Sequence, residues 1–214
     1  MSRRSYDNTR RAEQARLTRR GVLDAARDLL TERGPAAVTM REVAAHAGVS
    51  TETVKKTFGT KAALIKTVYD VTLAGDDEPI PMIDRPEIQA VFTATDPRDK
   101  LARYAARARQ IGERVGPMLA KLLAAARGGD PELTQFRTTI DGERLIGAGV
   151  MANHLASTGG LRTDLDPDRA RDIIWTLISP EIYELLVADR GWSPHEYERW
   201  LAKALADALA PPPA

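Results

Sequence analysis

Three helix signals follow one another in the stretch VTMREVAAHAGVSTETVKKTFGTKAALI, and their spacing constrains the fold more than any other feature of the chain. Thr39 and Glu42 form a T-x-x-E capping box, which predicts that a helix begins at Thr39. Gly48 can adopt the left-handed backbone that ends this helix. Ser50 can cap a second helix, and a third is expected from Lys61. Two short helices joined by a tight turn indicate a helix-turn-helix, the motif that places a helix in the DNA major groove.

The charge of the chain is divided between its two ends. Residues 1–66 carry fourteen Lys and Arg against seven Asp and Glu, a net charge of +7, whereas the remaining residues carry 17 against 23, a net charge of −6. An excess of bases favours DNA, because counterion release contributes much of the affinity of proteins for phosphate backbones. The overall net charge of +1 therefore conceals a basic segment suited to nucleic acid and an acidic remainder.

Composition narrows the class of protein further. The chain has no cysteine, so neither disulfides nor thiolate metal sites are expected, and a reducing cytoplasmic location fits. The sequence holds no apolar run long enough to span a membrane, and its Arg-rich start lacks the apolar segment of a signal peptide. No cofactor and no metal are predicted.

Helix signals continue through the rest of the chain, and the predicted fold class is all-α. The first helix is expected from about Arg10 to Arg33, where Gly34 and Pro35 stop it. Pro180 lies inside an apolar helical segment and is predicted to kink that helix. Four other helix starts share one design, a capping residue followed by proline: Asp96-Pro97, Asp130-Pro131, Asp166-Pro167 and Ser193-Pro194.

The first third of the chain carries a recognisable series of short motifs. They are Ala25-Ala26, Leu29-Leu30, Gly34, Thr39, Val43-Ala44, Ala47-Gly48-Val49-Ser50, Phe58, Lys61 and Leu64. In these motifs the chain resembles the TetR family of transcriptional repressors, and its last apolar helices are similar to those of actinobacterial members. The resemblance implies a three-helix DNA-binding domain with a basic N-terminal arm over residues 1–66. It also implies a helical effector-binding and dimerisation domain over residues 67–214.

By this resemblance, Thr39 and Lys61 would hold backbone phosphates, and a helix N-terminus and a lysine are both natural partners of anions. Arg3 and Arg4 lie in the arm, which either enters the minor groove or adds only salt-dependent affinity. The positions expected to face the groove are the cap and the early polar residues of the second helix: Ser50, Thr51, Glu52, Lys55 and Lys56.

The base preference of this helix stays open. Glu52 could accept a hydrogen bond from cytosine and Lys56 could donate to guanine, or both side chains could be solvated. Many family members carry tyrosine at the position of Lys55 and an aromatic residue at that of Thr57. The operator of a relative therefore cannot be assigned to this chain.

The resemblance implies a homodimer that represses from a palindromic double-stranded DNA operator and is released by a small, largely apolar effector. Residues that could line the effector site are Phe92, Tyr104, Arg107, Met118, Met151, His154, Trp175 and Ile178. Residues that could form the dimer interface are Ile174, Ile182, Leu186 and Trp200. For both sets the alternative is ordinary helical core within one chain.

Two other functions fit parts of the sequence. A DNA-binding regulator that acts without a ligand, or an activator, would carry the same helix-turn-helix. A nucleotide-dependent enzyme is a remote alternative, because Gly147, Gly149 and Ala152 match G-x-G-x-x-A. That motif binds nucleotides only between a strand and a helix, whereas this segment is predicted to be one apolar helix. The chain is therefore not expected to be an enzyme.

Overall fold

The computed structural model describes the backbone of residues 3–212 and the side chains of residues 10–212. Within these residues, helices are the only regular secondary structure, which confirms the all-α prediction. The α-helices are α1 (Arg3–Arg33), α2 (Met40–His46), α3 (Thr51–Phe58), α4 (Lys61–Ala74), α5 (Pro86–Phe92), α6 (Pro97–Arg127), α7 (Pro131–Ser157), α8 (Pro167–Leu177), α9 (Pro180–Tyr183) and α10 (Pro194–Leu209). Short 3-10 turns cover Pro35–Ala37 and Met82–Asp84, and a π-helical segment covers Glu184–Asp189. No helix in this described part is long and apolar enough to cross a bilayer.

The chain forms two compact units. Unit 1 contains the residues up to Asp77 together with Pro117–Phe136, and unit 2 contains Glu78–Gly116 and the residues from Arg137 onward. The core of unit 1 is built from the inner faces of α1, α2, α3 and α4 and from the adjoining parts of α6 and α7. Its fully buried members include Ala26, Leu30, Val43, Val54, Leu64, Ile65, Val68, Leu119 and Leu122.

The predicted helix starts are confirmed in detail. The Ser50 and Thr60 hydroxyls accept hydrogen bonds from the amides of Thr53 and Ala63 and so cap α3 and α4. At all four starts where a capping residue precedes proline, the side chain of that residue accepts a backbone N–H bond and caps the helix as expected. Ser193 also forms a full capping box with Glu196. These signals were readable because the bonds that make a cap join residues only two or three positions apart.

Two predicted features of the helices are wrong. Helix α1 begins at Arg3 rather than near Arg10, because the segment between them holds no proline or glycine to break the helix. Pro180 does not kink a continuous helix. Instead α8 ends at Leu177, and Ser179 caps a new helix in which Pro180 is the first residue. A capping residue followed by proline is a start signal here, as at the four starts above.

Helices α6, α7, α8 and α10 enclose the core of unit 2, whose fully buried residues include Leu101, Ala148, Leu155, Tyr197 and Leu205. Gly112 of α6 allows a close approach by the ring of Tyr183. A Cβ atom at Gly112 would lie 2.6 Å from two ring carbons of Tyr183, which in turn packs edge-to-face on Tyr197 at 4.9 Å between centroids. Gly147 of α7, by contrast, has open space where its Cβ would be.

We expect Gly112→Ala and Gly147→Ala to change stability in opposite directions. Alanine at position 112 must displace the Tyr183 ring, which should cost about 1–3 kcal/mol of unfolding free energy. Alanine at position 147 meets no neighbour and should stabilise α7 by roughly 0.5–1 kcal/mol. Urea unfolding followed by circular dichroism measures both effects, and stabilisation by both substitutions would contradict the assigned contact.

Candidate DNA-binding surface and effector site

Helices α2 and α3 form a tightly capped helix-turn-helix. The Thr39 hydroxyl accepts a hydrogen bond from the Glu42 amide at 3.1 Å, and the Thr39 amide donates to the Glu42 carboxylate at 3.1 Å. Gly48 has φ of +66°, the left-handed backbone expected for the turn. Val43 and Val54 are buried beneath the two helices. The capping box and the core together fix the angle at which α3 leaves the turn.

The outer face of α3 is polar and exposed. Glu52, Lys55 and Lys56 are exposed and Thr51 is half-buried, while Val54 and Phe58 fill the inner face of the same helix. Within the described residues, neither lysine is engaged in an ion pair. Both ammonium groups are therefore available to an incoming polyanion, which prefers cations with no competing carboxylate.

Lys61 has a partner that the sequence did not suggest. Its ammonium donates to the Pro35 carbonyl at 2.7 Å, across 26 positions of the chain. An ammonium has three N–H donors, so two remain for a phosphate. The bond ties the start of α4 to the turn that precedes α2, and it orients Lys61 beside the capped end of that helix.

Two other bases of unit 1, Arg19 and Lys66, already have partners. The Arg19 guanidinium donates to both carboxylate oxygens of Asp77, at 2.8 and 3.2 Å, and lies 5.0 Å from the centroid of Phe58. Lys66 pairs with Asp70 at 2.6 Å. The side chains of Arg3 and Arg4 lie outside the described residues, so their predicted role at DNA stays a prediction. The candidate phosphate-binding surface is α3 together with Thr39 and Lys61.

The structure separates the residues predicted to line an effector site. Met118 is buried in unit 1, whereas the other seven lie in unit 2. Met151 is fully buried in the core of unit 2. Phe92, Tyr104, Trp175 and Ile178 are half-buried and pack against that core, His154 is half-buried with its ring against Phe92, and Arg107 is buried. Four of the eight predicted residues thus pack against the core of unit 2 without being part of it.

His154 and Lys100 form a bond inside unit 2 that the sequence did not suggest. The Lys100 ammonium, whose residue is only 2% exposed, lies 2.6 Å from Nε2 of His154. An ammonium has no acceptor lone pair, so Lys100 donates and the imidazole accepts in its neutral form. Burial and the positive charge of Lys100 lower the pKa of His154, and burial also lowers the pKa of Lys100. The signal available in the sequence was the helical spacing of Lys100, Tyr104 and Arg107 on one face of α6.

The lowered pKa of His154 makes the stability of the folded protein depend on pH, with a defined sign. Because the folded chain holds the neutral imidazole, an unfolded chain binds the proton more tightly, and stability falls as pH drops below about 6.5. We expect the His154→Gln protein to lose less stability than the parent protein when the pH is lowered from about 7.5 to about 5. Urea midpoints across this range measure it. An H154Q curve parallel to that of the parent protein would contradict the assignment.

Arg144 is a second residue that the sequence did not single out. Its guanidinium donates to the Trp175 carbonyl at 2.7 Å and lies 5.2 Å from the centroid of the Trp175 ring. The indole of Trp175 donates to the Asp141 carbonyl at 3.2 Å. These contacts hold Trp175 of α8 against α7.

A capped helix-turn-helix with a cationic outer face defines a DNA-binding regulator, and comparisons with known proteins place the chain within that class. Residues 22–68 match the family model described as bacterial regulatory proteins, tetR family. An uncharacterized HTH-type transcriptional regulator of Bacillus subtilis, YdeS, is 30% identical over 170 residues, which are 79% of each chain. The chain belongs to the TetR family of DNA-binding transcriptional regulators.

Further relatives agree with this assignment. An HTH-type transcriptional repressor of Mycobacterium tuberculosis is 35% identical over 118 residues, 50% of this chain and 57% of the repressor. Among solved structures, a TetR-family regulator from Rhodococcus sp. has a TM-score of 0.72 at 16% identity, covering 91% of this chain and 99% of its own. A regulator from Saccharomonospora viridis in complex with choline has a TM-score of 0.65 at 18% identity, covering 91% and 98%. These two structures show a shared fold.

Replacing Lys61 with alanine is expected to weaken DNA binding equally for all sequences, because a phosphate contact carries no base information. The dependence of log affinity on log salt should become shallower by about one for each phosphate that the variant no longer neutralises. Fluorescence anisotropy with several related DNA duplexes at a series of salt concentrations measures both. A change in the ranking of the duplexes would contradict the phosphate assignment.

Proposed function

We propose that this protein is a homodimeric repressor that binds a palindromic operator through α3 of each copy and is released by a small, largely apolar effector. The observation that carries the proposal is the exposed cationic face of α3 on a capped helix-turn-helix. Residues 1–66 would form the DNA-binding domain and residues 67–214 the effector-binding and dimerisation domain. The mycobacterial relative named as a repressor supports the direction of regulation.

Dimerisation is supported by apolar surface that the single chain leaves accessible. Trp200 is half-buried and belongs to an aromatic cluster with Trp192 and Tyr197, at 6.3 and 6.1 Å between centroids. Ile182 and Leu186 are also half-buried, and Leu185 beside them is 55% exposed. Ile174, by contrast, is completely buried in its own unit, so it offers no surface to a partner. The interface we propose therefore consists of Ile182, Leu185, Leu186 and Trp200.

A second copy is also needed for operator recognition. One helix-turn-helix contacts few base pairs, whereas a two-fold dimer reads two half-sites about one helical turn, roughly 34–36 Å, apart. An effector can release such a dimer only if it binds the conformation that does not fit DNA more tightly than the one that does. The half-buried side chains around Phe92, Tyr104 and Trp175 supply apolar contacts for this ligand.

The proposal is tested by a gel-shift assay with the DNA upstream of the protein's own gene. We expect retarded complexes that weaken as salt rises and that are released by some members of a panel of small apolar compounds. Unrelated DNA of the same length is the control. Light scattering on the free protein should give the mass of two chains at micromolar concentration. Absence of binding at every salt concentration, or a monomer, would overturn the proposal, and reporter transcription that rises with the protein would indicate an activator.

A further inference from the structure

Three polar side chains along one face of α6 have hydrogen-bond donors but few acceptors to receive them. Lys100, Tyr104 and Arg107 are spaced at intervals of four and three, so they follow one another along one face of the helix over about 10 Å. Lys100 has only the neutral His154 nitrogen as its acceptor among the residues described. In the same part of the chain, the Tyr104 hydroxyl makes no hydrogen bond.

Of these three side chains, Arg107 has the poorest supply of hydrogen-bond acceptors. It is only 6% exposed, and its Nε is buried without an acceptor in the described structure. Its other contacts are weak, to the Gln110 amide oxygen at 3.4 Å and to the sulfur of Met82 at 3.8 Å. The charge of Glu87 favours the protonated guanidinium, but among the described residues Arg107 forms no ion pair with any carboxylate. Burial lowers the pKa of Arg107, as the absence of a counterion requires.

Buried cations without carboxylate partners are costly, and folded proteins rarely keep them unless a ligand or partner supplies the missing charge. The environment of Tyr104 also supports a ligand site. Burial raises the pKa of its phenol to about 12, and the side chain is half-buried without a hydrogen-bond partner among the described residues. Phe92, which packs on His154 at 4.9 Å between centroids, and Trp175 provide apolar neighbours in the same unit.

We propose that unit 2 binds an amphipathic anion whose carboxylate pairs with Arg107 or Lys100 while its apolar part lies against the half-buried aromatic residues. This inference rests on the proposed effector-binding role of unit 2 and specifies the chemistry of the effector. Lys100 and Arg107 disfavour a cationic ligand of the kind found in the choline complex of the S. viridis regulator, because its positive charge would be repelled by theirs.

Calorimetry on the full-length protein without DNA tests this proposal, with octanoate, octanol and octylamine as probes that share one apolar chain. Octanoate should bind roughly tenfold to a hundredfold more tightly than octanol, the range expected for charge-assisted hydrogen bonds in a buried site. Octylamine should bind most weakly. Equal binding of octanoate and octanol, or no binding of octanoate up to its solubility limit, would overturn the proposal.

Variants separate ligand recognition from structure. Arg107→Met and Lys100→Met should each reduce or remove the preference for the carboxylate. Arg107→Met should also raise the thermal midpoint of the ligand-free protein, because it removes a buried charge without a counterion. Arg103→Met is the matched control on the same helix, since Arg103 is exposed and pairs with Asp99, and it should leave the preference unchanged. An R107M protein that melts earlier and still prefers octanoate would show that Arg107 is purely structural.

Different results would contradict the anion site and the release of the protein from DNA by an effector. Octanoate that binds by calorimetry but leaves the protein–DNA complex intact would support the anion site and contradict its role in release. Release of DNA by neutral or cationic compounds, together with absent octanoate binding, would overturn the anion site and leave the ligand-released regulator standing.

Discussion

Replacing Lys55 and Lys56 together with alanine is expected to lower operator affinity about 100-fold or more, since removing a hydrogen bond to a base edge costs about 1–3 kcal/mol and the change is present in both copies of a dimer. Both lysines are exposed on α3 without a carboxylate partner among the described residues, so nothing in the free protein competes for them. The fold should be unaffected, because surface substitutions usually change stability by less than about 0.5 kcal/mol. Anisotropy titrations at two salt concentrations measure the decrease in affinity.

The single substitutions identify what each lysine binds. Replacing a lysine that binds phosphate should make the salt dependence shallower, whereas replacing one that binds a base should change the ranking of operator variants. Lys203→Ala, which removes an exposed positive charge from α10 in unit 2, is the control for a general charge effect. If Lys203→Ala weakened binding as much as Lys55→Ala or Lys56→Ala, the assignment of α3 as the reading helix would be wrong.

Leu30→Ala is expected to have the largest effect on stability. Leu30 lies in α1 and is 0% exposed in the core of unit 1, and a buried Leu→Ala change costs about 2–5 kcal/mol because it leaves a cavity. That decrease is a large share of the roughly 5–15 kcal/mol that stabilises a typical protein. Since the same core supports α2 and α3, operator binding should also disappear at temperatures where the parent protein still binds.

Leu17→Ala provides the matched comparison on the same helix. Leu17 is 55% exposed, so its truncation should change the unfolding free energy by less than about 0.5 kcal/mol. Urea unfolding monitored by circular dichroism gives both values. Similar decreases in stability from the two substitutions would mean that the inner face of α1 has been misassigned.

The sequence predicted most of the local structure, because its strongest signals act over short distances. Thr39, Ser50 and Ser193 each bond to an amide three positions ahead, and such a bond can be read from spacing alone. The Ser179-Pro180 start obeys the same rule, but its apolar surroundings favoured a continuous helix. The tertiary contacts could not be read in this way. Lys61 bonds to a carbonyl 26 positions away, and Lys100 to a histidine 54 positions away.

The roles of apolar residues were harder to predict from the sequence. Helical periodicity identified Met151 and Ile174 as inward-facing, but it cannot distinguish a chain's own core from a ligand site or a partner. The structure buries both completely, while it leaves Trp200 and Leu186 accessible. The polar candidates were more informative: Arg107 and His154 were predicted to line the effector site, and both have unusual environments in unit 2.

We propose that α3 of a two-fold dimer reads a palindromic operator. The most direct measurement is selection of binding sites from a pool of random DNA duplexes by the full-length protein, followed by sequencing. We expect an inverted repeat whose half-sites are centred about one helical turn, roughly 10 base pairs, apart, with two chains bound per site. The Lys55→Ala/Lys56→Ala protein should fail to enrich it. A pool with no enriched sequence, or a single half-site bound by one chain, would contradict the claim.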